Sequence, residues 1–224
     1  MREDGRTIAG VLLAAGASRR MGTLKQLLPW GAKTVIEQCL STFRGAELDP
    51  IVVVLGFGAD EIQARLHPAL DTDDVRVAIN TRHEEGMLSS IQCGIRTAQE
   101  AGSKAILLGL VDQPFVPTTV LRSLIAAYRA SDRPIVVPHV CGRRGHPIIL
   151  SMDVAQQALG LDARSDGLRT LIREREADVL AVPLEAREIL RDMDVPEDYR
   201  RERDAWLKSS GADTGTVAPG TAVR

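Results

Sequence analysis

Ile8-Ala9-Gly10-Val11-Leu12-Leu13, running directly into Ala14-Ala15-Gly16-Ala17-Ser18-Arg19-Arg20-Met21-Gly22-Thr23-Leu24-Lys25, is the stretch on which the fold turns. An apolar run without polar alternation suits a strand covered on both faces, as in a parallel sheet. It stops abruptly in small residues, whose backbone N–H groups can come close to a ligand and form a nest for anions. Arg19, Arg20 and Lys25 follow. A planar arginine fork and a compact lysine charge both suit a polyphosphate. No Gly-x-x-x-x-Gly-Lys-Ser/Thr run occurs, so this is not the Walker loop. A strand, a turn and a solvated basic loop is the competing reading of these residues alone.

Further apolar, β-branched runs predict strands at Ile51–Leu55, Val75–Ile79, Ala105–Leu110, Ile135–Pro138, Pro147–Leu150 and Val179–Val182. Between them, Val35, Ile36, Cys39, Leu40 and Phe43 repeat at helical spacing behind Thr34-x-x-Glu37, a capping-box pattern. Met87, Ile91, Ile95 and Ala98 predict a second helix. Leu121, Leu124, Ile125 and Tyr128, behind Pro117, predict a third. Strands alternating with helices predict right-handed crossovers and an α/β three-layer sandwich with a mostly parallel sheet. Ligands in such sheets sit at the carboxyl ends of strands. One domain over residues 1–208 is expected, followed by a disordered Gly/Ala/Thr-rich tail over 209–224.

The 224 residues suffice for a sizeable core, and 44% hydrophobic with 26% charged residues describes an ordinary soluble protein. A net charge of −2 argues against a general nucleic-acid or membrane-surface binder. Cys39, Cys93 and Cys141 have no Cys-x-x-Cys spacing, which fits reduced thiols in a cytoplasmic protein better than a disulfide or zinc scaffold. The four histidines form no ligand pair at helical spacing. No apolar signal segment or membrane-length run is seen.

Several strand ends carry chemistry. Asp112, in Val111-Asp112-Gln113-Pro114, follows a buried strand and is either a magnesium ligand or the start of an Asx-turn. In Asp192-Met193-Asp194-Val195-Pro196-Glu197-Asp198, Pro196 suits a helix start that Glu197 and Asp198 complement. Asp194 precedes that helix and is the candidate second metal ligand; a simple helix cap is the alternative. Asn80 ends a strand, and Gly86, Ser89 and Ser90 open a helix, offering donors to a base or ribose or else ordinary capping. Gly142-Arg143-Arg144-Gly145-His146-Pro147 either lines an anionic substrate's pocket, with Gly145 and His146 inside it, or is a solvated turn. Gly56-Phe57-Gly58 lacks the third glycine of a dinucleotide fingerprint.

Taken together in this order, these motifs resemble those of the molybdenum cofactor nucleotidyltransferases, and within them the cytidylyltransferases, from about Ile8 to Trp206. The resemblance implies a Rossmann-like fold and magnesium-dependent transfer of CMP from CTP to a molybdopterin-type cofactor. Carried over by position, Leu13, Ala14, Ala15 and Gly16 hold the nucleotide, and Arg20 and Lys25 grip its phosphates. Asp112 and Asp194 bind magnesium, and Asn80 and Ser90 neighbour the base or ribose. Guanylyltransferase relatives carry Leu-Ala-Gly-Gly where this chain has Leu13-Ala14-Ala15-Gly16, which favours CTP. Val111 and Val195 depart from the family's usual glycine and threonine. A molybdenum hydroxylase apoenzyme is the implied recipient of the product. The alternatives are GTP as donor, a sugar phosphate as acceptor, a non-catalytic cofactor-delivery chaperone, and a nicotinamide oxidoreductase.

Overall fold

A computed structural model describes residues 7–165 and 167–210 of the chain. The opening stretch folds as β1 (Ile8–Leu13), every residue of which is buried. A small hairpin, β2 (Pro29–Trp30) with β3 (Lys33–Thr34), leads into α1 (Val35–Gly45). Then come β4 (Ile51–Leu55), α2 (Ala59–Leu70), β5 (Val75–Ile79), α3 (Met87–Glu100) and β6 (Ala105–Leu110). The second half runs α4 (Thr118–Arg129), β7 (Ile135–Val140), β8 (Arg143–Arg144), β9 (Ile148–Ser151) and α5 (Met152–Gln157). It closes with α6 (Gly167–Glu174), β10 (Val179–Pro183) and α7 (Pro196–Ser210). The first two residues of the expected tail are thus helical, and 211–224 lie outside the described residues.

The main sheet has the order β10-β7-β9-β6-β1-β4-β5, with β8 added to β7. β6, β1, β4 and β5 are mutually parallel, as are β7 and β10, while β9 runs antiparallel between β6 and β7. The chain winds outward from β1 through β4 to β5, then returns to lay β6 on the other side of β1. Strand order therefore reverses beside β1, and at such a switch point ligands bind outside the carboxyl ends of the strands, here those of β1 and β6. Leu13 and Leu110, the last residues of these strands, are paired in register.

Alternate residues of β1 feed two cores, one on each face of the sheet. Ile8 and Leu12 join side chains of α1, α2, α4 and α7, whereas Ala9, Val11 and Leu13 join those of α3, α5 and α6. These are the three expected layers. Helix α1 starts on the predicted capping box: Thr34 Oγ1 accepts from the Glu37 N–H, and Glu37 Oε2 accepts from the Thr34 N–H. Helix α3 corrects one expectation. Met87 is 58% exposed, and Leu88 takes the inward position with Ile91, Ile95 and Ala98.

Two glycines let α1 settle on the sheet. A Cβ on Gly10 would lie 2.5 Å from Phe43 Cδ1, and one on Gly109 would lie 2.8 Å from Phe43 Cζ. The ring lies across β1 and β6 because neither strand has a side chain there. Gly10→Ala should therefore cost about 1–3 kcal/mol of stability through overpacking, read as a lower urea midpoint with an unchanged slope.

Beside Phe43 in the last turn of α1, Arg44 forks onto Asp74, with Nε 2.7 Å from Oδ2 and Nη2 3.3 Å from Oδ1. These bonds hold the Asp74 carboxyl below its ordinary range. A lowered carboxyl pKa stabilises the fold above the unfolded value and ceases to do so as the pH falls through the folded value. The pair is partly exposed and screened, so Asp74→Asn should cost about 1 kcal/mol or less at neutral pH. Urea titrations of variant and parent should converge in acid below the ordinary aspartate range.

Candidate active site

Lys25 sits in a single 3-10 turn after the small-residue loop and is only 9% exposed. Its ammonium donates to Asp112 Oδ2 at 3.0 Å and to the Met193 carbonyl at 3.1 Å, and lies 3.6 Å from Asp194 Oδ1. Arg20 reaches the other oxygen of Asp194 from the solvent side, Nη2 to Oδ2 at 2.9 Å. Two cations from the beginning of the chain thus meet one carboxylate from its middle and one from its end. Burial pushes the Asp112 carboxyl above its ordinary range, opposed chiefly by Lys25. Its second oxygen, Oδ1, is buried and has no hydrogen-bond partner among the described residues.

The two acidic segments are stitched together. The Met193 N–H donates to the Asp112 carbonyl at 3.2 Å. Gln113 Nε2 donates to the Arg191 carbonyl at 2.9 Å and to Asp192 Oδ1 at 3.0 Å. Asp198, in the first turn of α7, accepts from the N–H groups of Asp194 and Val195. Behind them Arg191 lies 5.1 Å from the Phe115 ring centroid and pairs with the buried Glu202 of α7 at 2.7 Å. Asp194 is therefore fixed from the first turn of α7 and, through Met193, from the Asp112 loop.

Sequence reasoning missed the residue that shapes the loop itself. Gln26 is fully buried, and its Nε2 donates to the carbonyls of Ala14 at 2.7 Å and Gly16 at 3.1 Å. Those bonds bend the chain back after β1 and leave Gly16 facing open space. An amide amid Leu24, Leu27, Leu28 and Pro29 was the available signal, since a polar group in an apolar run must find buried partners. Leu13, Ala14 and Ala15 are buried, and the Ala15 carbonyl accepts from the Phe57 N–H at 3.1 Å.

Asn80 and Ser90 lie to one side of the charged cluster. Asn80 Nδ2 donates to Ser89 Oγ at 2.8 Å and Ser90 Oγ at 3.0 Å, and its Oδ1 accepts from the Arg82 N–H. The serines stand within α3 and do not cap it; Gly86 is the N-cap residue. Together they brace the segment from Asn80 to Gly86. Gly145 and His146 reach the same sheet edge, just before β9. A Cβ on Gly145 would fall 2.3 Å from the Ile189 carbonyl oxygen, so this position has no room for a side chain. His146 is held below the ordinary imidazole range by burial, and its Nδ1 is buried without a hydrogen-bond partner among the described residues. Arg143 and Arg144 are exposed on β8, and Arg144 is occupied by Glu176.

Among the described residues no group of three or more His, Cys, Asp or Glu side chains could cage a metal. Asp112 and Asp194 nonetheless suit a hard cation that completes its shell with phosphate oxygens and water. The unpartnered Asp112 Oδ1 is the oxygen such an ion would need. A cavity of about 540 Å³ opens at the opposite edge of the sheet, around Ser103, Lys104 and Arg133, away from this chemistry.

The model of the MobA-like NTP transferase domain matches residues 10–179, from β1 to the start of β10. The chain belongs to this family. By family it is a nucleotidyltransferase. It is similar to the nicotine blue oxidoreductase of Paenarthrobacter nicotinovorans, 32% identical over 75% of this chain and 82% of that one. It is 24% identical to the molybdenum cofactor cytidylyltransferase of Escherichia coli, over 88% of this chain and 96% of the other. With the molybdenum cofactor guanylyltransferase of Mesorhizobium japonicum it shares 37% identity over 66% of each. Among solved structures, Rv0371c of Mycobacterium tuberculosis in complex with manganese superposes with a TM-score of 0.70 at 30% identity, covering 89% of this chain and 98% of that one.

Replacing Gln26 tests the loop. Gln26→Leu takes this donor from the buried Ala14 carbonyl and the part-buried Gly16 carbonyl, at about 1–3 kcal/mol of stability. Calorimetry should show the lower melting temperature, and nucleotide titration a weaker affinity.

Proposed function

We propose that this nucleotidyltransferase adds CMP from CTP to the phosphate of a molybdopterin-type molybdenum cofactor, with magnesium, and releases pyrophosphate. One observation carries the reading: the Lys25 ammonium stands between Asp112 and Asp194, with Arg20 on the outer oxygen of Asp194. Leu13, Ala14, Ala15 and Gly16 take the nucleotide, and Arg20 and Lys25 its phosphates. Asn80 and Ser90 stand towards the base or ribose, and Gly145 and His146 towards the acceptor. Ala15, where guanylyltransferases have glycine, favours CTP, as does the Escherichia coli relative's activity; the Mesorhizobium relative weighs for GTP.

In the reaction an acceptor phosphate oxygen attacks the α-phosphorus in line. The bond to the bridging oxygen breaks, and pyrophosphate leaves with its electron pair. A phosphate monoester is ionised at neutral pH, so no strong general base is required. Catalysis then reduces to positioning and charge neutralisation, which Arg20 and Lys25 supply at the phosphoryl oxygens. A magnesium ion on Asp112 and Asp194 would add Lewis-acid neutralisation; the manganese complex of Rv0371c supports a divalent ion here. A molybdenum hydroxylase apoenzyme is the proposed recipient of the product.

A pyridine-nucleotide oxidoreductase is the second reading, favoured by the name of the Paenarthrobacter relative. Its sequence support was the pair Gly56 and Gly58. Both have a packing reason: a Cβ on Gly56 would lie 2.7 Å from His83 Cβ and 2.9 Å from Ala15 Cβ, and one on Gly58 would lie 2.9 Å from Leu24 Cδ1.

Pyrophosphate release from CTP and GTP, with pterin and sugar-phosphate acceptors, tests the proposal beside an NADH-oxidation assay. CTP with the pterin should be fastest. A GTP preference overturns the cytidine assignment, and NADH turnover without pyrophosphate overturns the transfer. Asp112→Ala should slow turnover about a hundredfold, roughly 3 kcal/mol in barrier, with the circular dichroism spectrum unchanged. Near-normal turnover removes Asp112 from the mechanism.

A further inference from the structure

The turn Gly56-Phe57-Gly58, between β4 and α2, holds a phenyl ring out in solvent. Phe57 is 48% exposed, whereas most large apolar side chains of the chain are buried. Its backbone leaves little choice. The Phe57 N–H is bonded to the Ala15 carbonyl, Gly56 is pressed against Ala15 and His83, and Gly58 has a φ of 66°. The His83 ring stands beside it, with centroids 6.3 Å apart and planes at 81°. A cavity of about 320 Å³ lies between this pair and the small-residue loop, lined by Ala17, Ser18, Arg19, Phe57, His83 and Glu84.

Two rings at right angles form a corner. A flat heterocycle can stack on one and meet the edge of the other, the two arrangements aromatic quadrupoles favour. The cavity falls at the small end of ligand pockets, a size suited to a single base. Both rings are tied to the Ala15 end of the loop assigned to the nucleotide. Gly145 and His146, assigned to the acceptor, precede β9, on the far side of β6 from β1 and β4.

Resting on the nucleotide reading above, we propose that Phe57 and His83 form the wall against which the nucleobase of the triphosphate stacks. The polyphosphate then runs from Arg19 towards Arg20 and Lys25. Stacking of this kind tolerates any base, so the wall supplies affinity, while discrimination between bases falls to other contacts.

The test is equilibrium binding of CTP and of inorganic tripolyphosphate to the full chain, with a divalent ion, in the parent, Phe57→Ala and Phe57→Trp. Phe57→Ala should weaken CTP about tenfold, the size of one base–aromatic stack. It should leave tripolyphosphate unchanged, and Phe57→Trp should restore CTP. Equal weakening of both ligands, or of neither, overturns the wall. So does a variant whose CTP affinity is intact while its KM for the acceptor rises, because the ring then belongs to the acceptor. If the parent binds tripolyphosphate as tightly as CTP, the wall falls and nucleotidyl transfer stands. If the parent binds neither, both fall.

Discussion

The arrangement depends on where one ammonium group is held. Lys25 is nearly buried, and a buried charge is tolerated only with close partners. It has Asp112, the Met193 carbonyl and Asp194, drawn from segments more than eighty residues away. Each partner is fixed in turn by the sheet or by α7. Removing one carboxylate from such a group leaves the remaining charges uncompensated, a larger loss than the pair itself is worth. The fold and the charged site are therefore one construction. The register of β1 against β6 brings Leu13 and Leu110 level, and level strand ends bring the two loops within reach of one another.

Much of this was legible from the amino acids. Apolar runs marked the strands, and four of them match to the residue: β1, β4 and β6, and the edge strand β5, which holds Arg76. Direction was not legible. An apolar run reports burial, and nothing in Ile148 to Ser151 says that β9 runs against its neighbours. Helix α2 escaped notice because its inward residues, Ile62, Leu66 and Leu70, are sparse and Pro68 interrupts them. The hairpin of β2 and β3 is too short to show a period.

The site divides similarly. Charged residues at strand ends announced themselves by position, and Arg20, Lys25, Asp112 and Asp194 are brought together by direct contacts. The supporting contacts were hidden because they are made through backbone carbonyls. Gln26 works on Ala14 and Gly16, Gln113 on Arg191, and Gly145 yields to Ile189, none of which leaves a mark in side-chain chemistry. Asn80 shows the reverse case: its amide is largely taken up by two serines and the Arg82 N–H, so it shapes the segment leading to Gly86.

The chain has two tryptophans, and they are in contact: Trp30, fully buried in the hairpin after Lys25, lies 5.6 Å from Trp206 on α7. Tyr199 and Phe115 complete the cluster, and the Tyr199 hydroxyl donates to the Pro29 carbonyl at 2.6 Å. All the indole emission therefore arises at the seam joining the last helix to the hairpin after Lys25. An ordinary fluorimeter, with no label attached, reads whether the helix that anchors Asp194 through Asp198 is seated.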